Sequence, residues 1–246
     1  MVKKLGFVQW CRENDVWYLK IPLEIPEVCI KEAQAVYDEG FFIKHPYGGG
    51  DAWCAAMHSF VEGGTDTSLG WRHIKNPDEY GFDAHVTWGW TEIAEVAPET
   101  KRWLQDFTVK EHKYRRLRYI LLKPGGRISG HADSNETREK EGRRRNVAGT
   151  INLAITQPDN CYLRRVDTKE ELPFENCTGF WFDNGINHEA YNASNENRFH
   201  FIVEGGLDIP RKEGWKKSLT ERFGSDAVKE IDPDWFIRQG ADYQKR

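Results

Sequence analysis

The sequence predicts a mainly β fold with flanking helices, and three observations indicate it. Between residues 115 and 205, short β-type segments alternate with turn signals. Outside this region, apolar residues recur at helical spacing. The chain has 246 residues, of which 39% are hydrophobic, so it can bury one large core. We therefore expect a single domain over 1–246, with a sandwich or barrel of the jelly-roll kind at 115–205. N-terminal helices and loops would occupy 1–114, and short C-terminal helices 206–246.

Three stretches outside the core predict helices. In IPEVCIKEAQAVYDEG, Pro26 suits the first helical turn and Gly40 marks the end. The stretch PETKRWLQDF predicts a second helix that begins near Pro98. Residues 41–90, which lie between them, are rich in Gly, Trp and His without clear periodicity, and this predicts loops and short strands. The C-terminal stretch predicts short helices packed on the outside of the core through four apolar residues: Leu219, Phe223, Val228 and Ile231.

The core region contains seven β-type segments. In chain order they are RRLRYILL, RISGHADS, NVAGTINLAIT, CYLRRV, TGFWF, NHEAYN and NRFHFIVEG. The runs KPGG, QPDN and DNG stand between segments, and these residue types favour turns. Seven short strands at this spacing are typical of a sandwich or barrel.

Two of these segments alternate apolar and polar residues. Residues two apart face the same side of a strand, so Arg198 and His200 lie opposite an apolar face. Thr150 and Asn152 are placed in the same way. The polar side of a solvent-exposed sheet shows the same pattern, and the alternation alone does not distinguish the two cases. The polar faces carry His, Arg, Asn and Thr with few lysines, which favours a functional surface.

A third segment carries candidate metal ligands. His131 and Asp133 point the same way on RISGHADS, together with Ser129, and His188 follows the DNG turn. Two imidazoles and one carboxylate leave three coordination positions open, as in non-haem Fe(II) oxygenases. A structural zinc site is usually closed by four ligands, often cysteines. The five scattered cysteines of this chain contain no CxxC pair.

Arg198 suits the cosubstrate of such an iron site. A 2-oxo acid binds iron through its 1-carboxylate and 2-keto oxygen and leaves one position for O2. The distal carboxylate of 2-oxoglutarate needs a fixed cation, and a guanidinium binds carboxylate through two hydrogen bonds and keeps its charge when buried. The residues therefore predict an enzyme that uses Fe(II), 2-oxoglutarate and O2, with succinate and CO2 as co-products.

Three stretches resemble a known family. LKPGGRISGHADS, VAGTINLAI and HEAYNASNENRFHFIVEG are similar to the aspartyl/asparaginyl β-hydroxylase-like branch of the Fe(II)/2-oxoglutarate oxygenases, over roughly 115–205. The most specific match is to the family's H-x-V-x-N-x-S…R-x-H run, which this chain follows at His188, Asn192, Ser194, Arg198 and His200. The resemblance implies a double-stranded β-helix core. It also implies that His131, Asp133 and His188 bind iron and that Arg198 binds the 2-oxoglutarate tail.

The chain departs from the family pattern in one strand. Where many members read R-x-H, it reads Thr150, Ile151 and Asn152. Asn152 would replace the histidine as a hydrogen-bond donor to the cosubstrate, with Thr150 beside it. Arg118 is either a lumen-facing cation for a substrate or cosubstrate carboxylate, or a structural ion-pair partner. Animal peptide-hydroxylating members lack the carboxylate ligand, so Asp133 favours kinship with complete-triad bacterial or phage-like members.

The expected reaction is hydroxylation of an amino-acid or peptidyl side chain. The alternatives are a related oxidation such as desaturation, and a non-catalytic jelly-roll binding or structural protein that retains the metal triad. The substrate-side loops would be 41–90 and 134–146, the latter either a solvated loop or a lid whose arginines meet an anionic substrate.

The composition bears on partners and compartment. A net charge of −4 gives no general attraction to nucleic acid, so a nucleic-acid partner is disfavoured and a small molecule or peptide is expected. No apolar run approaches the roughly 18 residues that a membrane span needs, so no membrane partner is expected. With no apolar signal segment at the start and with scattered cysteines, the sequence predicts a cytoplasmic protein.

Overall fold

The computed structural model describes residues 5, 7–45, 48–60, 88–107, 116–132, 150–204 and 209–231. The helices are α1 (Phe7–Glu13), α2 (Val28–Asp38), α3 (Ile93–Val96), α4 (Pro98–Phe107), α5 (Ile209–Phe223) and α6 (Ser225–Glu230). The strands before the core are β1 (Tyr18–Ile21), β2 (Ile43–Lys44), β3 (Gly48–Gly49), β4 (Ala52–Phe60) and β5 (Trp88–Trp90). The core strands are β6 (Arg116–Leu122), β7 (Arg127–His131), β8 (Thr150–Ala154), β9 (Cys161–Arg165), β10 (Thr178–Phe182), β11 (His188–Asn192) and β12 (Arg198–Glu204).

Strands β6 to β12 alternate between two antiparallel sheets. The major sheet has the order β1-β10-β8-β12-β6-β4-β2, with β5 paired to β4, and the minor sheet has the order β3-β7-β11-β9. Consecutive core strands therefore lie in opposite sheets, and the chain crosses from one sheet to the other after each strand. This winding defines a double-stranded β-helix, and it confirms the predicted mainly β, jelly-roll fold with flanking helices.

The central strands of the major sheet are buried on both faces. On its outer face, Ile151, Leu153 and Phe201 join a hydrophobic cluster with the helices. On its inner face, Arg198 is 2% exposed and His200 is 1% exposed. The polar side of the alternating strands thus faces the interior between the sheets, and the alternative that it faces water is wrong.

The two helices predicted before the core are α2 and α4. Helix α2 is followed by Gly40, whose φ of 79° ends the helix in a conformation that favours glycine. The carboxylate of Glu32 on α2 accepts hydrogen bonds from the backbone N–H of Glu99 (2.9 Å) and of Thr100 (2.7 Å). These N–H groups lack partners within the first turn of α4, so Glu32 both caps α4 and joins it to α2.

The predicted C-terminal helices are α5 and α6, and α5 is longer than expected at 15 residues. Leu219 and Ile231 are buried, while Phe223 is partly exposed and packs against Trp10. No helix in the described ranges is long and apolar enough to cross a bilayer. The predicted loop at 134–146 lies outside the described residues, as do residues 61–87.

Candidate active site

Two of the predicted metal ligands lie side by side. His131 and His188 are paired across β7 and β11, and their ring centroids are 4.5 Å apart. The His188 ring also contacts Phe182 of the major sheet, with centroids 5.0 Å apart. The two imidazoles therefore meet at one end of the space between the sheets.

A β-bulge in β7 allows this pairing. His188 pairs with His131, but Ala190, two residues on, pairs with Ile128, three residues back. Ser129, which simple alternation places beside His131, is exposed. At Gly130 a Cβ atom would lie 2.9 Å from Val166 Cγ2, so glycine permits the close contact between β7 and Val166.

Backbone carbonyls set the orientation of both imidazoles. His131 Nδ1 lies 2.8 Å from the Ser129 carbonyl, and His188 Nδ1 lies 2.8 Å from the Ile186 carbonyl. A carbonyl only accepts, so each Nδ1 carries a proton, and Nε2 is the ring atom left available to a metal. This is the arrangement that metal-binding histidines adopt, and the two rings fit a divalent transition metal.

The third predicted ligand, Asp133, lies outside the described residues, which end at Ala132 on this segment. Within the described ranges, no group of three His, Cys, Asp or Glu side chains could hold a metal ion. The structure therefore brings together two of the three predicted ligands.

A polar cluster lies deeper between the sheets. Arg198 Nε donates to Gln157 Oε1 (3.0 Å), and Arg198 Nη2 lies 3.3 Å from His200 Nδ1. His200 Nε2 is 2.9 Å from Gln157 Oε1, and His200 Nδ1 is 2.6 Å from Asn152 Oδ1. Four side chains from β8, β12 and the turn after β8 thus form one network.

Burial controls the charges in this network. Burial and the Arg198 charge hold the pKa of His200 well below its usual value, so the imidazole is neutral. Burial lowers the pKa of Arg198 to about 10, which still leaves the guanidinium charged at neutral pH. A neutral imidazole has one N–H. If Arg198 donates to Nδ1, then Nε2–H donates to Gln157, and Asn152 must turn its NH2 group toward Nδ1.

Arg198 has no acidic partner in the part of the chain that the structure describes. Its contacts are with the neutral side chains of Gln157 and His200. A buried charge without a counter-charge is costly. The site therefore suits an anionic ligand.

Asn192 holds the turn that leads to Arg198. Its Nδ2 donates to the carbonyls of Leu122 and Glu196 (both 2.7 Å), and its Oδ1 accepts from the backbone N–H and hydroxyl of Ser194. The Cys161 thiol donates to the same oxygen (3.0 Å). These contacts explain why Asn and Ser stand between His188 and Arg198.

The strand registers order the side chains along the interior. On β12 and β6, Arg198 pairs with Leu122 and Ile202 pairs with Arg118. Arg118, which is 9% exposed, therefore lies about 13 Å along the strands from Arg198. Asn152 pairs with Ile202 on the other side of β12, so it lies in the row of Arg118.

The histidine pair lies beyond that row. Thr150 pairs with Phe182, which contacts His188. Thr150 belongs to β8 by its backbone, but its side chain is outside the described set. The order along the interior is thus the histidines, then Asn152 and Arg118, then His200 and Arg198.

Sequence reasoning missed Gln157 and the interior phenylalanines. Gln157 lies in the turn after β8, where strand alternation makes no statement about direction. Phe174 contacts both Phe180 and His200, with ring centroids 4.9 and 4.7 Å apart. Phe174 lies between strands β9 and β10, so its apolar side chain was the only sequence feature that indicated burial.

A family model described as aspartyl/asparaginyl beta-hydroxylase matches residues 63–205, more than half of the chain. No protein in the curated collection matches.

Solved structures with a similar chain trace include three oxygenases. An oxidoreductase of the 2OG-Fe(II) oxygenase family from Burkholderia pseudomallei is 9% identical with a TM-score of 0.48, over 83% of this chain and 93% of that one. A prolyl hydroxylase from Trichoplax adhaerens, in complex with a hypoxia inducible factor oxygen degradation domain peptide fragment, is 12% identical with a TM-score of 0.43, over 80% and 86%. A Pseudomonas putida prolyl-4-hydroxylase is 10% identical with a TM-score of 0.39, over 80% and 97%.

The matched family region spans the whole β core with the histidine pair and the Arg198 network. The fold follows from the strand order of the chain itself, and the family follows from the sequence match. The non-catalytic alternative is not favoured. The chain belongs to the aspartyl/asparaginyl β-hydroxylase family and is a hydroxylating dioxygenase, as its sequence predicts.

Proposed function

We propose that the protein is an Fe(II)- and 2-oxoglutarate-dependent hydroxylase of an amino-acid or peptidyl side chain. The observation that carries this proposal is the buried guanidinium of Arg198, which has only neutral contacts among the described residues. It lies at one end of an interior whose other end carries the paired histidines. An anion bound by Arg198 could therefore extend toward a metal held by these histidines.

In this proposal, His131 and His188 hold Fe(II) through Nε2, and Asp133 supplies the third ligand. The carbonyls of Ser129 and Ile186 keep Nδ1 protonated, so both rings are ready to bind a cation. When bound, the iron supplies the activation of O2 that couples oxidation of 2-oxoglutarate to succinate and CO2 with hydroxylation of the substrate.

Arg198 binds the distal carboxylate of 2-oxoglutarate. Gln157 holds Nε of the guanidinium, which fixes the plane of the remaining N–H donors. Asn152 and Thr150 lie on the way to the histidines and suit contacts with the cosubstrate. Arg118, in the row of Asn152, suits a carboxylate near the metal, from either the substrate or the cosubstrate.

The proposed substrate is a small molecule or a peptide, and the proposed compartment is the cytoplasm. All five cysteines are free thiols, which accords with a reducing compartment. With a net charge of −4, the chain has no general attraction to a polyanion.

A succinate-release screen tests the proposal. Purified protein with Fe(II), ascorbate and 2-oxoglutarate is offered free amino acids and acidic small molecules. We expect succinate formation that depends on one substrate class, with a product one oxygen atom heavier by mass spectrometry. A product that has lost two hydrogen atoms would identify a desaturase. If iron and 2-oxoglutarate bind but no 2-oxoglutarate is consumed with any candidate, the chain acts as a binding protein.

A further inference from the structure

Two ion pairs connect the N-terminal segment to the surroundings of His188. Arg12 of α1 contacts Asp183 through Nε–Oδ2 (2.6 Å) and Nη2–Oδ1 (3.2 Å). Asp15, which follows α1, accepts from Arg165 Nη1 (2.8 Å). We call these two pairs the N-terminal clamp. Arg12 and Asp15, three residues apart, thus each pair with a residue more than 100 positions away in the sequence.

The Arg12 pair controls the turn that carries His188. Asp183 is 1% exposed and starts this turn, and its Oδ1 also accepts from the Gly185 N–H (3.0 Å). The Asp183 carbonyl accepts from the Ile186 N–H (3.1 Å), and the Ile186 carbonyl accepts from His188 Nδ1 (2.8 Å). An unbroken series of contacts therefore runs from Arg12 to the imidazole.

The Asp15 pair supports the strand beside His188. Arg165 is the register partner of His188 on β9, and its guanidinium is nearly buried. Asp15 has a φ of 51°, a left-handed conformation that Asp adopts more readily than most residues, so the backbone there is held in an unusual shape. Arg165 also bonds Asp167 (3.1 and 2.9 Å), so it keeps a partner when Asp15 is lost.

The two ion pairs differ in exposure, and therefore in how strongly each can affect the position of His188. The Arg12 side chain is about half exposed, but its partner carboxylate is buried, so removing Arg12 leaves a buried anion without its cation. Asp15 is 82% exposed, and exposed pairs contribute little. The larger effect on His188 should therefore come from Arg12.

We propose that the N-terminal clamp positions His188 for metal binding, so that the α1–β1 segment is a functional part of the metal site. Arg12 and Asp15 are positioning residues, since neither touches the metal. This inference rests on the proposed function, because it takes His188 as a ligand.

The test is an anaerobic titration of the full-length, metal-free protein with Co²⁺, followed by visible absorption of the bound ion. We expect Arg12→Gln to weaken Co²⁺ affinity about 10–100-fold, the range found when groups that orient metal ligands are lost. Arg12→Lys keeps the charge but loses the two-point contact, and it should recover part of the affinity. The absorption spectrum of the bound ion should also change in Arg12→Gln, because the His188 ring is less well oriented.

The matched control is Glu230→Ala, which removes the acceptor of the Trp10 Nε1 hydrogen bond (2.7 Å). It loosens the same helix, α1, without touching Asp183, so Co²⁺ affinity should stay at the wild-type value. Equal losses in Arg12→Gln and Glu230→Ala would overturn the proposal, since a general loosening of α1 would then explain both.

Two further variants keep the outcomes separate. His188→Ala should lose Co²⁺ binding, and if it does not, the proposed metal site itself is wrong. Loss in His188→Ala together with wild-type affinity in Arg12→Gln overturns the clamp alone. If Arg12→Gln does not fold, Arg12→Lys decides, because it keeps a cation beside the buried Asp183 and loses only the two-point contact: a weakened Co²⁺ affinity supports the clamp and an unchanged one overturns it.

Discussion

At the scale of single residues, the Arg198 guanidinium is held by neutral groups that leave its charge available. Gln157 accepts from Nε, and His200 is kept neutral by burial and by Arg198 itself. Had an acid occupied either position, the cation would already be paired inside the barrel. The network therefore fixes the direction of the guanidinium without neutralising it.

Arg198→Lys keeps the charge but loses the fork of donors. We expect 2-oxoglutarate to bind more weakly by about 1–3 kcal/mol, the scale of a hydrogen bond to a charged group, and Arg198→Ala to be worse. Iron affinity should not change, because the arginine is not a ligand. The measurement is a titration of 2-oxoglutarate into the anaerobic iron-loaded protein, followed by the metal-to-ligand charge-transfer band. Unchanged 2-oxoglutarate affinity in Arg198→Ala would mean that another residue binds the distal carboxylate, and Arg118 would be the next candidate.

Gln157→Glu places a carboxylate where Arg198 now meets a neutral amide. The new acid would pair with the guanidinium and compete with the cosubstrate, so the affinity for 2-oxoglutarate should fall more than in Gln157→Leu, which only removes a contact. The same anaerobic titration measures both variants. If Gln157→Glu binds 2-oxoglutarate as tightly as the wild type, Arg198 does not act as the anion site.

His200 should make folding stability depend on pH. Its pKa is depressed in the folded protein, so below about pH 6.5 the unfolded chain binds a proton that the folded chain does not. Stability from this group is full above that pH and is lost as the pH falls, by up to about 1.4 kcal/mol per pH unit. Urea unfolding from pH 7.5 to 5 should show a steeper loss in the wild type than in His200→Gln. Parallel curves would contradict the neutral, buried imidazole.

At the scale of elements, strand alternation predicts the direction of side chains correctly where strand pairing is regular and incorrectly where a bulge interrupts it. In β8 and β12 the apolar and polar faces are those that the sequence predicts. In β7 the bulge breaks the alternation, so Ser129 turns away from His131. Gln157 was missed because a turn has no fixed period, and its direction depends on contacts that only the folded chain makes.

Gly130 gives a test of the bulge. Gly130→Ala brings Cβ against Val166 Cγ2, so we expect a loss of about 1–3 kcal/mol in the free energy of unfolding, as for overpacking. A second change, Val166→Ala, makes room and should restore part of the stability lost by Gly130→Ala. Urea unfolding of the metal-free proteins measures both. If the double variant is the sum of two independent losses, the contact with Val166 is not what requires glycine.

At the scale of the whole molecule, the β1 and β4 strands extend the major sheet beyond the core that the sequence outlined. β4 contains AWCAAMHSF, and its described side chains other than Trp53 are buried, on both faces of the strand. A strand buried on two faces lacks the alternation that reveals a strand, so the sequence predicts only loops and short strands over 41–90 and does not locate β4. Likewise, the pairing of Arg12 with Asp183 joins distant parts of the chain, and no local pattern encodes it.

Binding of metal and cosubstrate should stabilise the entire fold. At a ligand concentration about 100 times the Kd, binding to the folded state alone adds about 2.7 kcal/mol, which raises Tm by several degrees in a chain of this size. Thermal unfolding under anaerobic conditions, with Fe(II) and 2-oxoglutarate against a chelator, measures the shift. His131→Ala and His188→Ala should each fold but show no shift from Fe(II). A shift equal to that of the wild type in either variant would contradict its role as a ligand.

The hydrogen bonds of Asn192 have a consequence for kinetics. Arg198, Leu122 and Asn192 are each no more than 2% exposed, so these side chains are shielded from solvent at their end of the interior. In the proposed function, the cosubstrate enters from the histidine end and passes the metal site before it meets Arg198. A cavity entered from one side imposes an order: the molecule held at the closed end arrives first and departs last. Succinate should then leave after the hydroxylated product, and a large excess of the second reactant should slow turnover by retaining succinate inside.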